Sequence, residues 1–294
     1  MAGLRVAAVA AMKALALALC GVVAAAPPRV EACGGPEGLC EAARGGYRIL
    51  LPDGHGPEAE TPVVMFLHGY GGSSAQVVGN RALADGLAAR GFALIAPEGS
   101  LRGSASGGSG GGRRSWVFGP FWEGRDEAAF FAGVIKDAAV RFGTSRRQTV
   151  LAGFSSGAFM VHYLACRHPQ AFAAYAPVSG AFWRPQPEAC AGPVRLLHSH
   201  GWIDAVVPLE GRILGGGRYR QGDVFAALEL WRRTNGCASH APAQSWRAAG
   251  ALRRRWDCAP GAEIGLVLFE GGHRIPEAWP GWLAEWLAKT EALR

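Results

Sequence analysis

Short apolar runs alternate with longer stretches of helical character along most of the chain. Six runs carry few polar positions: Tyr47–Leu51, Val63–Leu67, Phe92–Ala96, Gln148–Ala152, Val194–His198 and Ile264–Phe269. Strands covered on both faces read this way, whereas a sheet with one wet face shows strict alternation. Between them, Ala75–Arg90, Asp126–Phe142, Ser156–His168, Asp223–Asn235 and Ala278–Leu293 read as helices. This alternation predicts an α/β fold with a mostly parallel central sheet, helices on both faces and right-handed crossovers. No second domain announces itself. The Gly/Ser-rich run Gly103–Gly112 reads as a loop within the one domain.

The first 26 residues stand apart. Arg5 and Lys13 precede an apolar stretch, Ala14–Ala26, that ends in small residues. This is the layout of a secretory signal peptide, and the stretch is short for a membrane span. Lipidation at Cys20 is the rival reading, but Leu19 stands where a lipoprotein signal has a small residue. The expected organisation is therefore a leader over 1–26 and a single catalytic domain over 27–294, exported to the periplasm or the medium.

Composition refines the picture only slightly. At 49% hydrophobic the chain of 294 residues is no disordered polypeptide. Its formal charge of +7 comes from 27 Arg and only 3 Lys, scattered along the sequence, the densest run being Arg253-Arg254-Arg255. No nucleic-acid-binding motif accompanies them, so a solvated basic surface is expected and a nucleic-acid partner is not. Six cysteines remain once the leader is removed, an even number that suggests disulfides although six allow 15 connectivities. Pairing sequence neighbours gives the simplest hypothesis: Cys33–Cys40, Cys166–Cys190 and Cys237–Cys258. No C-x-x-C pair and no zinc-like His spacing is present, so no metal is expected.

The strongest chemical signal is Gly153-Phe154-Ser155-Ser156-Gly157, set between a predicted strand and a predicted helix. A nucleophile elbow needs that context: glycines let the strand turn sharply, and the turn presents Ser155 at the carboxyl end of the sheet. A serine hydroxyl is a poor nucleophile until a His takes its proton and an acid orients that His. In this architecture the order is Ser, acid, His. Three Asp follow Ser155. Asp223 looks like a helix N-cap and Asp257 lies beside Cys258, whereas Asp204 lies just past a strand and is the candidate acid. Two His follow Asp204. His240 sits in a polar stretch between cysteines, while His273 follows Gly271-Gly272 at the end of a strand and is the candidate base. His198 and His200 are read as supports of the acid loop. Two backbone N–H groups are needed for an oxyanion: that of Ser156, and that of Tyr70 in His68-Gly69-Tyr70-Gly71-Gly72, with His68 shaping the loop.

With these residues in place the chain resembles the secreted polyhydroxybutyrate depolymerase and feruloyl esterase group of α/β-hydrolases. The resemblance runs over roughly 45–285, through Leu67–Gly72, Ala96-Pro97-Glu98-Gly99, Gly153–Ala158, Leu164–Pro169, Phe172–Gly180, His200-Gly201…Asp204…Val207-Pro208 and Gly271-Gly272-His273. It implies hydrolysis of carboxylic esters through an acyl-enzyme, without metal or organic cofactor, by Ser155, Asp204 and His273. Three departures stand out. Ser156-Gly157-Ala158 replaces the family's usual Asn-Gly-Gly or Ala-Gly-Gly, Trp202 stands where its His-Gly-Thr has Thr, and its Trp-Pro-Gly comes late, at Trp279-Pro280-Gly281. Trp122 and Trp202 are candidate substrate contacts, as are Trp116 and Tyr70, with ordinary packing as the competing role. The expected substrate is a hydroxyalkanoate oligomer or polymer, with feruloyl or acetyl-xylan esters as the alternative and acyl transfer on the same scaffold as a further one. No polymer-binding segment follows Arg294, which shifts the expectation toward oligomers and small esters. A monomer is expected.

Overall fold

The computed structural model describes Cys33 and residues 38–56, 60–102, 112–119 and 122–288. The leader lies outside these, as does all of the Gly/Ser-rich run except Gly112. In chain order the strands and helices are β1 (Cys40–Ala42), β2 (Gly45–Leu50), β3 (Thr61–Leu67), α1 (Ser74–Gly79), α2 (Arg81–Ala88), β4 (Ala93–Pro97), β5 (Ser100–Arg102), β6 (Arg113–Ser115), α3 (Glu127–Phe142), β7 (Thr144–Phe154) and α4 (Ser156–Arg167). They continue with β8 (Ala174–Val178), β9 (Arg195–Gly201), β10 (Ile213–Leu214), β11 (Tyr219–Arg220), α5 (Val224–Thr234), β12 (Gln244–Ala248), β13 (Ala251–Asp257), β14 (Glu263–Phe269) and α6 (Trp279–Ala288).

Ten of these strands form one sheet in the order β1-β2-β4-β3-β7-β8-β9-β14-β13-β12. The six from β4 to β14 run parallel, and an antiparallel pair closes each edge. Alternate residues of the central strands feed two separate cores. On β3, Val63, Met65 and Leu67 face the core that α3, α4 and α5 cover, while Val64 and Phe66 face the one covered by α1, α2 and α6. The mostly parallel sheet with helices on both faces expected from the apolar runs is the one observed, in keeping with the α/β-hydrolase architecture that the resemblance implies.

Several local expectations are corrected. The helix predicted over Ala75–Arg90 is two helices, because the Asn80 carbonyl side chain accepts from the Leu83 amide at 3.2 Å and caps a new helix there. The strand predicted over Gln148–Ala152 extends from Thr144 to Phe154, its exposed Arg146 and Arg147 having hidden the first half. β8 was not expected, since Pro177 sits inside it, yet all five of its residues are buried. The run Arg253-Arg254-Arg255 is not a loose solvated surface but part of β13. Arg253 is 7% exposed, ion-paired to Glu285 at 2.6 Å and placed over the Trp282 ring at 5.6 Å. Its alkyl stem packs where a hydrophobic residue would.

The three disulfides pair as sequence neighbours: Cys33–Cys40, Cys166–Cys190 and Cys237–Cys258. The second ties the end of α4 to the segment leading into β9 across 24 residues that include β8. For a loop of that length, cross-linking restricts the unfolded chain by about 3 kcal/mol. Replacing both Cys166 and Cys190 by Ala is thus expected to lower unfolding free energy by about 3 kcal/mol. Urea titration of the two proteins checks this, and equal midpoints would refute it.

Candidate active site

The carboxyl edge of the parallel strands is where the candidate catalytic residues collect. β7 ends at Phe154 and α4 begins at Ser156, so Ser155 makes the whole turn alone, with φ 55° and ψ −118°. That is left-handed territory in which an L side chain is strained. Backbone crowding enforces it. A Cβ on Gly153 would come within 2.7 Å of the Gly157 backbone, and one on Gly180 within 2.8 Å of the Ser155 carbonyl. A Cβ on Gly157 would collide with the Leu67 carbonyl. The Ser155 amide donates to Val178 O at 3.0 Å, and its carbonyl accepts from Phe159 N at 3.1 Å. Ser156 opens the helix, so its N–H has no intrahelical acceptor and points from the positive end of the helix dipole.

The loop after β3 approaches this turn from the neighbouring strand. A Cβ on Gly69 would lie 3.4 Å from Ser155 Cβ. Gly71 N donates to Arg114 O at 2.8 Å and Gly72 N to Gly69 O at 3.0 Å; among the described residues no bond takes up the Tyr70 amide. His68 shapes the loop: its Nδ1–H donates to Gly69 O at 2.7 Å while Nε2 accepts from Gly99 N at 3.0 Å. Those two bonds require the neutral ring, and burial lowers its pKa accordingly. Trp116 is fully buried and donates its indole N–H to His68 O at 2.8 Å. It braces the loop and does not face substrate.

Behind the loop, Glu98 accepts from the Ser74 amide and hydroxyl and pairs with Arg114 at 2.7 Å. No role was read for Glu98 from the sequence, although a carboxylate directly after an apolar strand was a usable signal. Tyr70 itself is 61% exposed.

The acid and imidazole come from adjacent parallel strands, β9 and β14. Their loops are laced together: Trp202 N donates to Phe269 O at 3.0 Å and Ile203 N to Gly271 O at 3.1 Å. Asp204, 4% exposed, accepts from Val206 N (2.9 Å) and Val207 N (2.8 Å) through Oδ1, and from His273 Nδ1 (2.7 Å) through Oδ2. Burial alone would raise its pKa, but the bonds from His273 and the Val207 amide hold the carboxyl below its ordinary value. With Nδ1–H committed to Asp204, the Nε2 lone pair of His273 is left to act as a base. The Phe154 ring, one residue before Ser155, lies 4.5 Å from the His273 ring. The structure therefore brings Ser155, Asp204 and His273 to one edge on the ends of β7, β9 and β14.

A second histidine array lies beneath. Trp231 Nε1 donates to His162 Nδ1 (3.0 Å), His162 Nε2 to His198 Nδ1 (3.2 Å), His198 Nε2 to His200 Nδ1 (3.1 Å) and His200 Nε2 to Val207 O (2.8 Å). An indole can only donate and a carbonyl can only accept, so both ends fix the direction and all three imidazoles carry their proton on Nε2. His200 Nε2 also lies 3.6 Å from Asp204 Oδ2. Among the described residues no group of three metal-ligating side chains is poised around a cation, and no helix is long and apolar enough to cross a membrane.

Of the aromatic candidates, Trp202 is 43% exposed on the acid loop. Trp122 packs against Phe118 and Trp183 on the flank of α4, well away from that loop in sequence and contacts.

Residues 62–212 match the sequence profile of the α/β-hydrolase fold family. The chain is 24% identical over 237 residues to the probable feruloyl esterase C of Aspergillus terreus, covering 77% of this chain and 75% of that one. It is equally similar, 24% over 235 residues and with the same coverage, to feruloyl esterase C of Emericella nidulans. Among solved structures it is similar in fold to the acetyl xylan esterase from Aspergillus awamori. There the TM-score is 0.55 at 16% identity, over 81% of this chain and 94% of that one.

Burial also sets a pH dependence. His68, His162, His198 and His200 all have lowered pKa values, that of His162 at about 3, with burial as the main cause. The unfolded chain takes up protons near pH 6.5 while the folded one stays neutral, so stability falls as pH drops below about 6.5. Each proton contributes about 1.4 kcal/mol per pH unit. Glu263, raised by burial, acts in the opposite sense only nearer the carboxylate range. Unfolding free energies at pH 7.5, 6 and 5 are expected to be level above pH 7 and then to fall by more than one proton's worth. A level profile to pH 5 would contradict the neutral assignment.

Proposed function

The chain belongs to the α/β-hydrolase family, and we propose that it is a serine carboxylic-ester hydrolase acting on esterified cell-wall polysaccharide or its fragments. The observation that carries this reading is the 2.7 Å bond from His273 Nδ1 to Asp204 at the sheet edge where Ser155 occupies its strained turn. Ser155 Oγ attacks the ester carbonyl as His273 Nε2 takes its proton. Asp204, held anionic by its amide donors, stabilises the imidazolium that forms. The amides of Tyr70 and Ser156 receive the carbonyl oxygen as it becomes an oxyanion. His273 then returns the proton to the departing alcohol, and water repeats the sequence on the acyl-enzyme.

The substrate class rests on the relatives, which are named for feruloyl and acetyl xylan esters. They favour the polysaccharide-ester alternative over the polyhydroxybutyrate polyester first expected. The three disulfides suit an oxidising compartment, in keeping with an exported enzyme.

Ser155→Ala is expected to reduce kcat on p-nitrophenyl acetate by at least ~10³-fold while leaving circular dichroism and melting behaviour intact. Asp204→Asn is expected to cost ~10²–10⁴-fold, because an amide leaves the imidazole in the wrong tautomer. In a panel of methyl ferulate, acetylated xylan and 3-hydroxybutyrate oligomers, the first two are expected to turn over fastest. Undiminished turnover by Ser155→Ala would overturn the mechanism, and fastest turnover of the hydroxybutyrate oligomers would overturn the substrate class.

A further inference from the structure

On the flank of α4 lies a cavity of about 370 Å³, within the ~300–1,000 Å³ range of small-molecule sites. Its wall is aromatic. Trp183 stands at the centre, with one face stacked on Phe159 (centroids 5.2 Å, 26°). Trp122 and Tyr219 both stand crosswise to it, at 6.3 Å and 61° and at 6.0 Å and 66°. The rings thus make a corner with faces in two directions. Its rim is basic: Arg184, Arg218 and Arg220 line the cavity, and no carboxylate does so among the described residues.

The arrangement is built into the backbone and does not depend on side-chain chance. Arg184 N donates to Arg220 O at 2.8 Å, Trp183 bridges Gln221, and Trp183 N donates to the Tyr163 hydroxyl at 3.1 Å. Some arginines elsewhere are matched with acids, as in Arg114–Glu98, Arg125–Glu127 and Arg253–Glu285, and others, such as Arg146 and Arg147, stand exposed with no acidic partner among the described residues. Among the described residues none of the three rim guanidiniums has such a partner. Three like charges gathered over a concave apolar wall repel one another until an anion joins them.

We propose that this cavity is a subsite for a saccharide bearing a carboxylate, a uronate unit, on the alcohol side of the ester. The inference rests on the ester-hydrolase reading above and names a feature of the substrate. Reach and charge together select the alcohol side. Tyr163, on the cavity wall, is eight residues beyond Ser155, about 12 Å along α4 at ~1.5 Å per residue. An acetyl group attached at Ser155 does not span that gap, and a feruloyl group has its one carboxyl in the ester and brings no carboxylate to the arginines, whereas a chain of sugar rings spans the gap and can carry a free one. The chemistry selects the uronate. Sugar rings lay their C–H faces on aromatic side chains, and a guanidinium fork grips a carboxylate through two parallel hydrogen bonds.

The test uses calorimetric binding to the Ser155→Ala protein, so that nothing is consumed. The probes are a xylo-oligosaccharide carrying one glucuronate and the neutral oligosaccharide of the same length. The acidic probe is expected to bind at least tenfold more tightly. Arg218→Ala with Arg220→Ala, on the exposed hairpin, is expected to bring it down to the neutral level. Tyr219→Ala is expected to weaken both probes. Removing the exposed pair Arg146 and Arg147 serves as the control for overall charge and is expected to change nothing. With Ser155 restored, the hairpin variants are expected to hydrolyse p-nitrophenyl acetate as the unaltered protein does. Equal binding of the two probes, no binding of either, or an equal loss in the Arg146/Arg147 control would overturn the subsite. Acidic-probe binding without turnover of any ester would instead overturn the hydrolase reading and leave the saccharide site standing.

Discussion

The structure turns on one crowded crossing of backbones. Ser155 is held at positive φ because Gly153, Gly157 and Gly180 leave no room for any other path, and because the Leu67 carbonyl presses against Gly157 from the adjacent strand. That contact exists only because β3 and β7 are parallel neighbours in register, Leu67 opposite Gly153. The same neighbour relation brings Gly69 against Ser155 and so places the loop carrying the Tyr70 amide beside that residue. A methyl group at Gly157 would therefore disturb the turn at Ser155 and the neighbouring loop together. Strain at Ser155 is sustained by the two cores that bury β3 and β7 on both faces.

The other arm of the site depends on direction as much as on distance. β9 and β14 deliver Asp204 and His273 side by side, with Gly201 lying against the carbonyls of Gly271 and Gly272. Beneath them, the chain from Trp231 through His162, His198 and His200 to Val207 O has one polarity, since its first member cannot accept and its last cannot donate. A proton added to any of the three rings would set two N–H groups facing each other. The row is thus held neutral by geometry as well as by burial, and every ring dipole points its donor end toward the acid loop. Val207 is anchored through both of its backbone groups: its carbonyl accepts from His200 Nε2–H and its amide donates to Asp204 Oδ1. Core packing of α5, through Trp231, is in this way mechanically continuous with the carboxylate.

How much of this was legible in the sequence differs by element. Strands buried on both faces announced themselves as apolar runs, and the elbow, acid loop and His loop were located by scarcity, with three Asp after Ser155 and two His after Asp204. β8 was missed because Ala174–Val178 is short, alanine-rich and interrupted by Pro177, although pairing with β7 buries it completely. β13 was missed because its three arginines read as a charge run, and only the tertiary partners Glu285 and Trp282 make that run a strand. His198 and His200 could be read as supports of the acid loop from their place on one strand. His162 and Trp231 could not be linked to them, since residues 36 and 69 apart in sequence meet only once α4 and α5 pack on the same face of the sheet.

The inner and outer parts of the site answer to different constraints. The turn at Ser155 and the carboxylate of Asp204 are hydrogen-bonded and crowded by Gly153, Gly157, Gly180 and Gly201, positions at which an added methyl group would meet backbone. The outer parts are exposed: the side chains of Tyr70, Trp202 and Ile203 reach solvent at the sheet edge, Tyr70 with Arg113 over its ring, and the hairpin of β10 and β11 offers its side chains to solvent. Substrate preference should therefore be sought in the segments around Trp122, Trp183 and Tyr219, where rings and guanidiniums are held by short backbone pairings that the fold does not need elsewhere.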